Sequence, residues 1–120
     1  MLEIERISAI TLAVRDMARA AAFYETLGFR LVTGGSRAAF TTFAAGRDAL
    51  NLIATDTADD QGFRDRVIFH VADVDTAYRA ITAAGLQPDF APRDAAWGER
   101  YFHVTDPDGH ELSFAKPLPG

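Results

Sequence analysis

The sequence predicts an α+β fold built from two βαβββ modules in one chain, and two observations carry that prediction. The first is an internal repeat. The stretch "ITLAVRDMARAAAFYETLGF" (10–29) lies on "VIFHVADVDTAYRAITAAGL" (67–86) at one constant offset, with Val14 on Val71, Asp16 on Asp73, Ala20 on Ala77, Gly28 on Gly85 and Phe29 on Leu86. Further along, "GRDALNLIA" (46–54) matches "GHELSFA" (109–115), with Leu50 on Leu112 and Leu52 on Phe114. An ordered series of this kind marks a duplicated unit. The second observation is periodicity, because in each half the apolar spacing goes from every second residue to helical spacing and back.

In the first half, residues 7–14 alternate and are rich in Ile, Leu and Val, as a half-buried strand should be. Asp16 is an N-cap, and Met17, Ala20, Ala21, Tyr24 and Leu27 form one helical stripe. Gly28 ends the helix, since a left-handed closing residue without a Cβ carries no steric penalty. Strands are expected near 29–34, 37–45 and 49–54, with "AAGRD" as a hairpin connection. The faces of 37–45 stay open, because Phe40 and Phe43 cannot share one side of a regular strand.

In the second half, Asp73 caps, Val74, Ala77, Tyr78, Ile81 and Ala84 make the stripe, and Gly85 stops it. Strands are expected near 86–91, 99–105 and 110–115, the last two joined by the turn "DPDG". The whole of 1–120 reads as a single domain, with a first module over 1–54, a polar linker over 55–65 and a second module over 66–120. Each helix would cover one face of a curved four-stranded sheet. The other faces, as half-barrels within one chain or across a dimer, would line a cleft.

Composition narrows the function. The chain has 120 residues, 48% of them hydrophobic, and no cysteine, so a disulfide framework, a thiolate metal site and a cysteine nucleophile are excluded. Net charge is −5, and the basic residues are scattered rather than clustered, which argues against nucleic acid as a partner. The opening "MLEIERISAITLAV" is acidic where a signal peptide would be basic, and no apolar run reaches membrane-spanning length. The expected location is the cytoplasm, away from membranes.

"RDMARAAAFYETLGFRLV" followed by "AWGERYFHVTDPDGHELSF" resembles the glyoxalase/bleomycin-resistance/dioxygenase family, the vicinal-oxygen-chelate superfamily. The resemblance implies paired βαβββ modules, a homodimer and a small-molecule cleft. It also implies that metal-dependent members hold a divalent ion with one residue on each module's first strand and one on each last strand. Those positions fall on Ala9, Arg66, Asn51 and Ser113. A methyl group offers no donor, a guanidinium repels a cation, and an amide and a hydroxyl are weak ligands without stronger neighbours. The expectation is therefore no metal and no other cofactor, in the manner of members that sequester drugs such as bleomycin and confer antibiotic resistance.

Alternation across the strands then names the pocket wall. Arg66 and His70 share one face of their strand, Tyr101 and His103 the cleft side of the next, and Glu111 and Ser113 that of the last. The ligand-binding candidates are Trp97, Arg66, Tyr101, His103, His70, Asn51, Glu99, Glu111 and Ser113. Trp97, the single tryptophan, offers a stacking platform or packs its loop, with Phe40, Phe43 and Phe90 as further stacking surface. Arg66 should pair with Glu99, with Glu111 or with an anionic group on a ligand. His110 reads as a solvated turn residue, and "RDMAR" and "ADVDTAYRA" as solvated helix starts.

Three functions follow from these residues. The first is a metal-independent protein that binds an aromatic or polar small molecule. The second is a lyase, isomerase or extradiol-type dioxygenase using zinc, iron, nickel or manganese relocated onto His70, His103 and Glu111. The third is an interaction module whose sheet face takes a partner chain.

Overall fold

The structure, a computed structural model, describes residues 2–56 and 65–120. The chain forms two compact units, Met1–Gln61 and Gly62–Gly120. Most of the expected linker, 57–64, lies outside the described residues. The α+β class and the doubled βαβββ plan are both borne out.

In the first unit β1 (Ala9–Val14) leads into α1 (Met17–Leu27), followed by β2 (Arg30–Thr33), β3 (Phe40–Ala45) and β4 (Asp48–Ala54). The sheet order is β1-β4-β3-β2, with β1 parallel to β4 and the other neighbours antiparallel. Asp16 caps α1 by accepting the Arg19 N–H at 3.1 Å, and Gly28 closes it at φ 116°. The strand register separates the phenylalanines. Phe43 pairs with Leu50 and is fully buried, stacked edge-on or tilted against Phe29 and Tyr24. Phe40 pairs with Ile53 on the opposite face, where both stay exposed. Leu12, Val14, Ala20, Tyr24, Leu50 and Leu52 complete this core. Gly34 sits where a Cβ would come within 2.5 Å of the Phe40 carbonyl oxygen, so no larger residue fits the approach of β2 to β3.

The second unit repeats the plan with β5 (Arg66–His70), α2 (Val74–Ala83), β6 (Arg93–Asp94), β7 (Glu99–Thr105) and β8 (Glu111–Pro117), in sheet order β5-β8-β7-β6. Asp73 caps α2 through the Thr76 N–H at 2.9 Å. Val67, Val74, Ile81, Phe102, Val104, Leu112 and Phe114 are the core between helix and sheet. The expected strand over 86–91 is not formed, and only Arg93–Asp94 pairs with β7. Pro88 and Pro92 bring no N–H to a ladder, and Asp89 tethers the segment to β7 instead, its N–H donating to the His103 carbonyl and its carboxylate accepting from Thr105 Oγ1, each at 2.8 Å.

The DPDG turn forms between β7 and β8 as expected, but the histidine that follows it is not solvated. The Asp106 carboxylate accepts the backbone N–H of Asp108 and of His110, each at 2.9 Å, and folds the turn onto itself. His110 is therefore buried, 5% exposed, rather than solvated, with Nδ1 3.5 Å from an Asp65 carboxylate oxygen. The pairing of β5 with β8 causes this, since the Glu111 N–H donates to the Asp65 carbonyl and aligns the two strand starts.

Candidate functional site

The second unit carries chemistry on the face of its sheet that α2 does not cover. Two register rows define it. Arg66 lies beside Glu111, which lies beside Thr105, and His70 lies beside Ala115, which lies beside Tyr101. His103 and Ser113 occupy the row between them, next to Ile68. Because side chains alternate, Glu99, Tyr101, His103 and Thr105 project from β7 to this one side.

Four rings gather there. Tyr101 lies 5.2 Å from His103 and 5.5 Å from Phe90 by ring centroids, and Phe90 lies 5.0 Å from His103. Trp97 leans on Tyr101 at 5.5 Å, with 70% of its surface exposed. Its indole N–H donates to Glu99 Oε1 at 2.9 Å, which fixes the ring's orientation and uses one carboxylate oxygen of Glu99. Arg93 was not anticipated. Its guanidinium carbon sits 3.7 Å over the Phe90 ring, and its Nε donates to the Tyr101 hydroxyl at 3.2 Å. The signal was faint: an arginine directly after a proline, whose partner Tyr101 is set by β6–β7 register. The result is an aromatic surface with a cation held at its edge.

A polar group adjoins the rings. Of the two carboxylates considered for Arg66, Glu111 is the partner, its Oε2 accepting from Arg66 Nε. Glu111 Oε1 lies 3.0 Å from His103 Nδ1. His70 is not part of this group. It stands four residues along the strand from the Glu111 row, about 13 Å at the usual rise per residue. The three proposed relocated ligands thus do not converge, and among the described residues no three His, Asp or Glu side chains form a metal-holding group.

The remaining candidates contribute less to this surface. Ser113 sits beside His103 but is buried, 2% exposed. Asn51 belongs to the first unit, where its amide oxygen accepts from Thr42 Oγ1 at 2.8 Å and its amide nitrogen donates to Thr11 Oγ1 at 3.3 Å. Phe43 is core, and Phe40 belongs to the first unit's uncovered face. The start of α2 is not simply solvated either, because Asp75 holds Arg100 from β7 with two hydrogen bonds at 2.8 and 2.9 Å. Arg100 Nη1 also reaches Asp94 at 3.0 Å, which ties β6 to this clasp. Asp75 accordingly titrates below the ordinary carboxylate range, chiefly through the Arg100 hydrogen bonds, and the Arg100 pKa rises through those from Asp75 and then Asp94.

The sequence pattern of the Glyoxalase/Bleomycin resistance protein/Dioxygenase superfamily matches residues 6–114. The chain belongs to this superfamily. Solved structures agree on the fold. A glyoxalase/bleomycin resistance protein/dioxygenase from Nocardioides superposes with a TM-score of 0.80 at 23% identity, covering 100% of this chain and 88% of that one. A bleomycin-binding protein complexed with bleomycin gives 0.78 at 26% identity over 94% and 98% of the two chains. Lactoylglutathione lyase from Agrobacterium tumefaciens gives 0.75 at 20% identity over 94% of each. No curated protein sequence matches the chain.

Membership raises the question of the divalent ion held by the superfamily's metal-dependent members, and this donor set does not fit one. Ala9 has no ligating atom, Arg66 is a cation engaged with Glu111, both amide atoms of Asn51 are engaged within its sheet, and Ser113 is buried.

Proposed function

We propose that this chain is a metal-independent binding protein for small molecules with a planar aromatic group, which it holds on the ring surface of the second unit. The observation that carries this reading is the cluster of Phe90, Trp97, Tyr101 and His103 on a sheet face that its own helix leaves open. Trp97, 70% exposed, offers a ring for stacking at little conformational cost, because Glu99 holds it in place and Tyr101, 8% exposed and itself held by Arg93, backs it. The unsuitable donor set supports independence from metal. The bleomycin bound by the 26%-identical relative supports a ligand of drug size and aromatic character. Sequestration of such a molecule would confer resistance to it, and a reducing cytoplasm suits a chain without cysteine.

A homodimer belongs to this reading. In the first unit Phe40 is 45% and Ile53 43% exposed side by side, and in the second Ile68 is 61% exposed, so each unit presents apolar sheet surface for a second copy to cover.

Because Trp97 is the single tryptophan, its emission reports the site directly. Titration with metal-free bleomycin and a panel of quinones and aromatic acids, in buffer containing EDTA, should give saturable quenching by at least one compound. Tyr101→Ala should weaken that binding about tenfold, the order expected for one lost ring contact and its buried area. The reading fails if no compound alters the emission, or if quenching appears only after a divalent metal is restored.

A further inference from the structure

We propose that Arg93 selects ligands that carry an anionic group, so that the preferred molecule is a planar aromatic with a carboxylate on its rim. This rests on the reading of the ring cluster as the ligand site and adds the charge that the site recognises.

Arg93 is held in place without being neutralised. Its register partner is Tyr101, so both side chains stand on the open face, and its Nε donates to the Tyr101 hydroxyl at 3.2 Å. Its guanidinium carbon lies 3.7 Å over the Phe90 ring and 5.5 Å from the Tyr101 centroid. A guanidinium has five N–H donors and is charged at every working pH. One donor is engaged. The other four, on Nη1 and Nη2, find no protein acceptor among the described residues. The rings attract the charge of the guanidinium plane, but they do not satisfy the donors at its edge.

The strands of this unit carry two further arginines, and each has a carboxylate. Arg66 has Glu111, and Arg100 has Asp75 and Asp94. Arg93 has none among the described residues, although Asp89, Asp94 and Glu99 lie within six residues of it in the chain. Those three are engaged elsewhere: Asp94 with Arg100, Asp89 with Thr105 and Glu99 with Trp97.

Trp97 and Arg93 flank the same ring. The indole and the guanidinium carbon each lie 5.5 Å from the Tyr101 centroid. An aromatic stacked on the exposed Trp97 therefore has a guanidinium within reach of a group on its rim. A carboxylate there meets the two Nη groups as a fork, whereas an apolar rim strips water from the same donors and returns nothing. The net charge of −5 opposes anions at long range. Salt screens that field beyond about 10 Å, so the contact pair decides the preference.

The test compares 2-naphthoate, 2-naphthamide and 2-naphthylmethylammonium at neutral pH, where the first is an anion and the last a cation. Binding is followed by NMR through the indole N–H signal of Trp97, the single tryptophan. The wild type should bind the naphthoate about tenfold more tightly than the amide, the order for one charge-assisted contact. Arg93→Gln should bring those two affinities together. Arg93→Lys, which keeps the charge but not the fork, should retain part of the difference. Slackening of the ring cluster in a variant weakens both compounds alike, so the ratio is the readout. Equal affinities in the wild type, or a preference undiminished in Arg93→Gln, would overturn the role of Arg93 and leave the ring surface as the binding site. Tighter binding of the ammonium compound would overturn it too, in favour of Glu99 as the charge that is read. A Trp97 signal unmoved by all three compounds would overturn both readings.

Discussion

Arg100 of β7 grips Asp75 of α2 with two hydrogen bonds, Nε to Oδ2 at 2.9 Å and Nη2 to Oδ1 at 2.8 Å. The pair joins the first turn of the helix to the strand that carries Tyr101 and His103. Through Nη1 and Asp94 the same guanidinium holds β6, whose other residue, Arg93, caps the Phe90 and Tyr101 rings. One side chain on the helix side of the sheet thereby organises the aromatic surface on the opposite side.

Arg100→Ala should therefore lower Tm and, separately, weaken ligand binding at the rings while the ligand-contacting residues stay unchanged. Arg100→Lys should recover little, because an ammonium cannot match the planar fork that meets both Asp75 oxygens. Thermal melts beside Trp97 titrations read the two effects. A variant that melts earlier but binds normally would show that β6 is held by something other than this clasp.

Acid should loosen the second unit at its helix start. Asp73 titrates below the ordinary carboxylate range, chiefly because its carboxylate accepts the Thr76 N–H, and Asp75 does so through Arg100. A carboxylate with a depressed folded pKa contributes stability that is complete above its unfolded pKa and is lost as pH falls through the folded one. The contribution is thus intact at neutral pH and disappears below the usual carboxylate range. Urea midpoints measured across that window should fall more steeply for the wild type than for Asp73→Asn with Asp75→Asn. Parallel curves would contradict the assignment.

The two phenylalanines of β3 give a matched pair. Phe43→Ala opens a cavity beside Tyr24 and Leu50 and should cost about 3–5 kcal/mol of unfolding free energy. Phe40→Ala removes a half-exposed ring and should cost far less in a single chain, while weakening self-association if a second copy covers that face. Denaturant unfolding and light scattering separate the outcomes. Equal stability losses would mean that the register of β3 is wrong.

These residues also show how much the chain discloses before it folds. Asp16, Gly28 and Asp73 announce helix ends through local chemistry, and apolar alternation places Tyr101, His103 and Glu111 on one side because a strand leaves no other choice. Pairing across distance is harder to read. Arg66 had two carboxylates within its reach on paper, and only the register of β5 against β8 selects Glu111. The Asp75–Arg100 clasp spans 25 residues and leaves no local trace. His110 sits among turn formers that suggest exposure, yet the Asp106 bonds and the Asp65 strand start enclose it. The 86–91 strand was expected from the repeat, and two prolines overrode the symmetry.

The most direct test of the central claim is calorimetry on metal-stripped protein titrated with metal-free bleomycin, or with the tightest compound from the fluorescence panel, before and after zinc or manganese is added to the protein. Binding with the same Kd in both states, reduced by Tyr101→Ala, is the predicted result. Binding that is absent until the metal is supplied would contradict it.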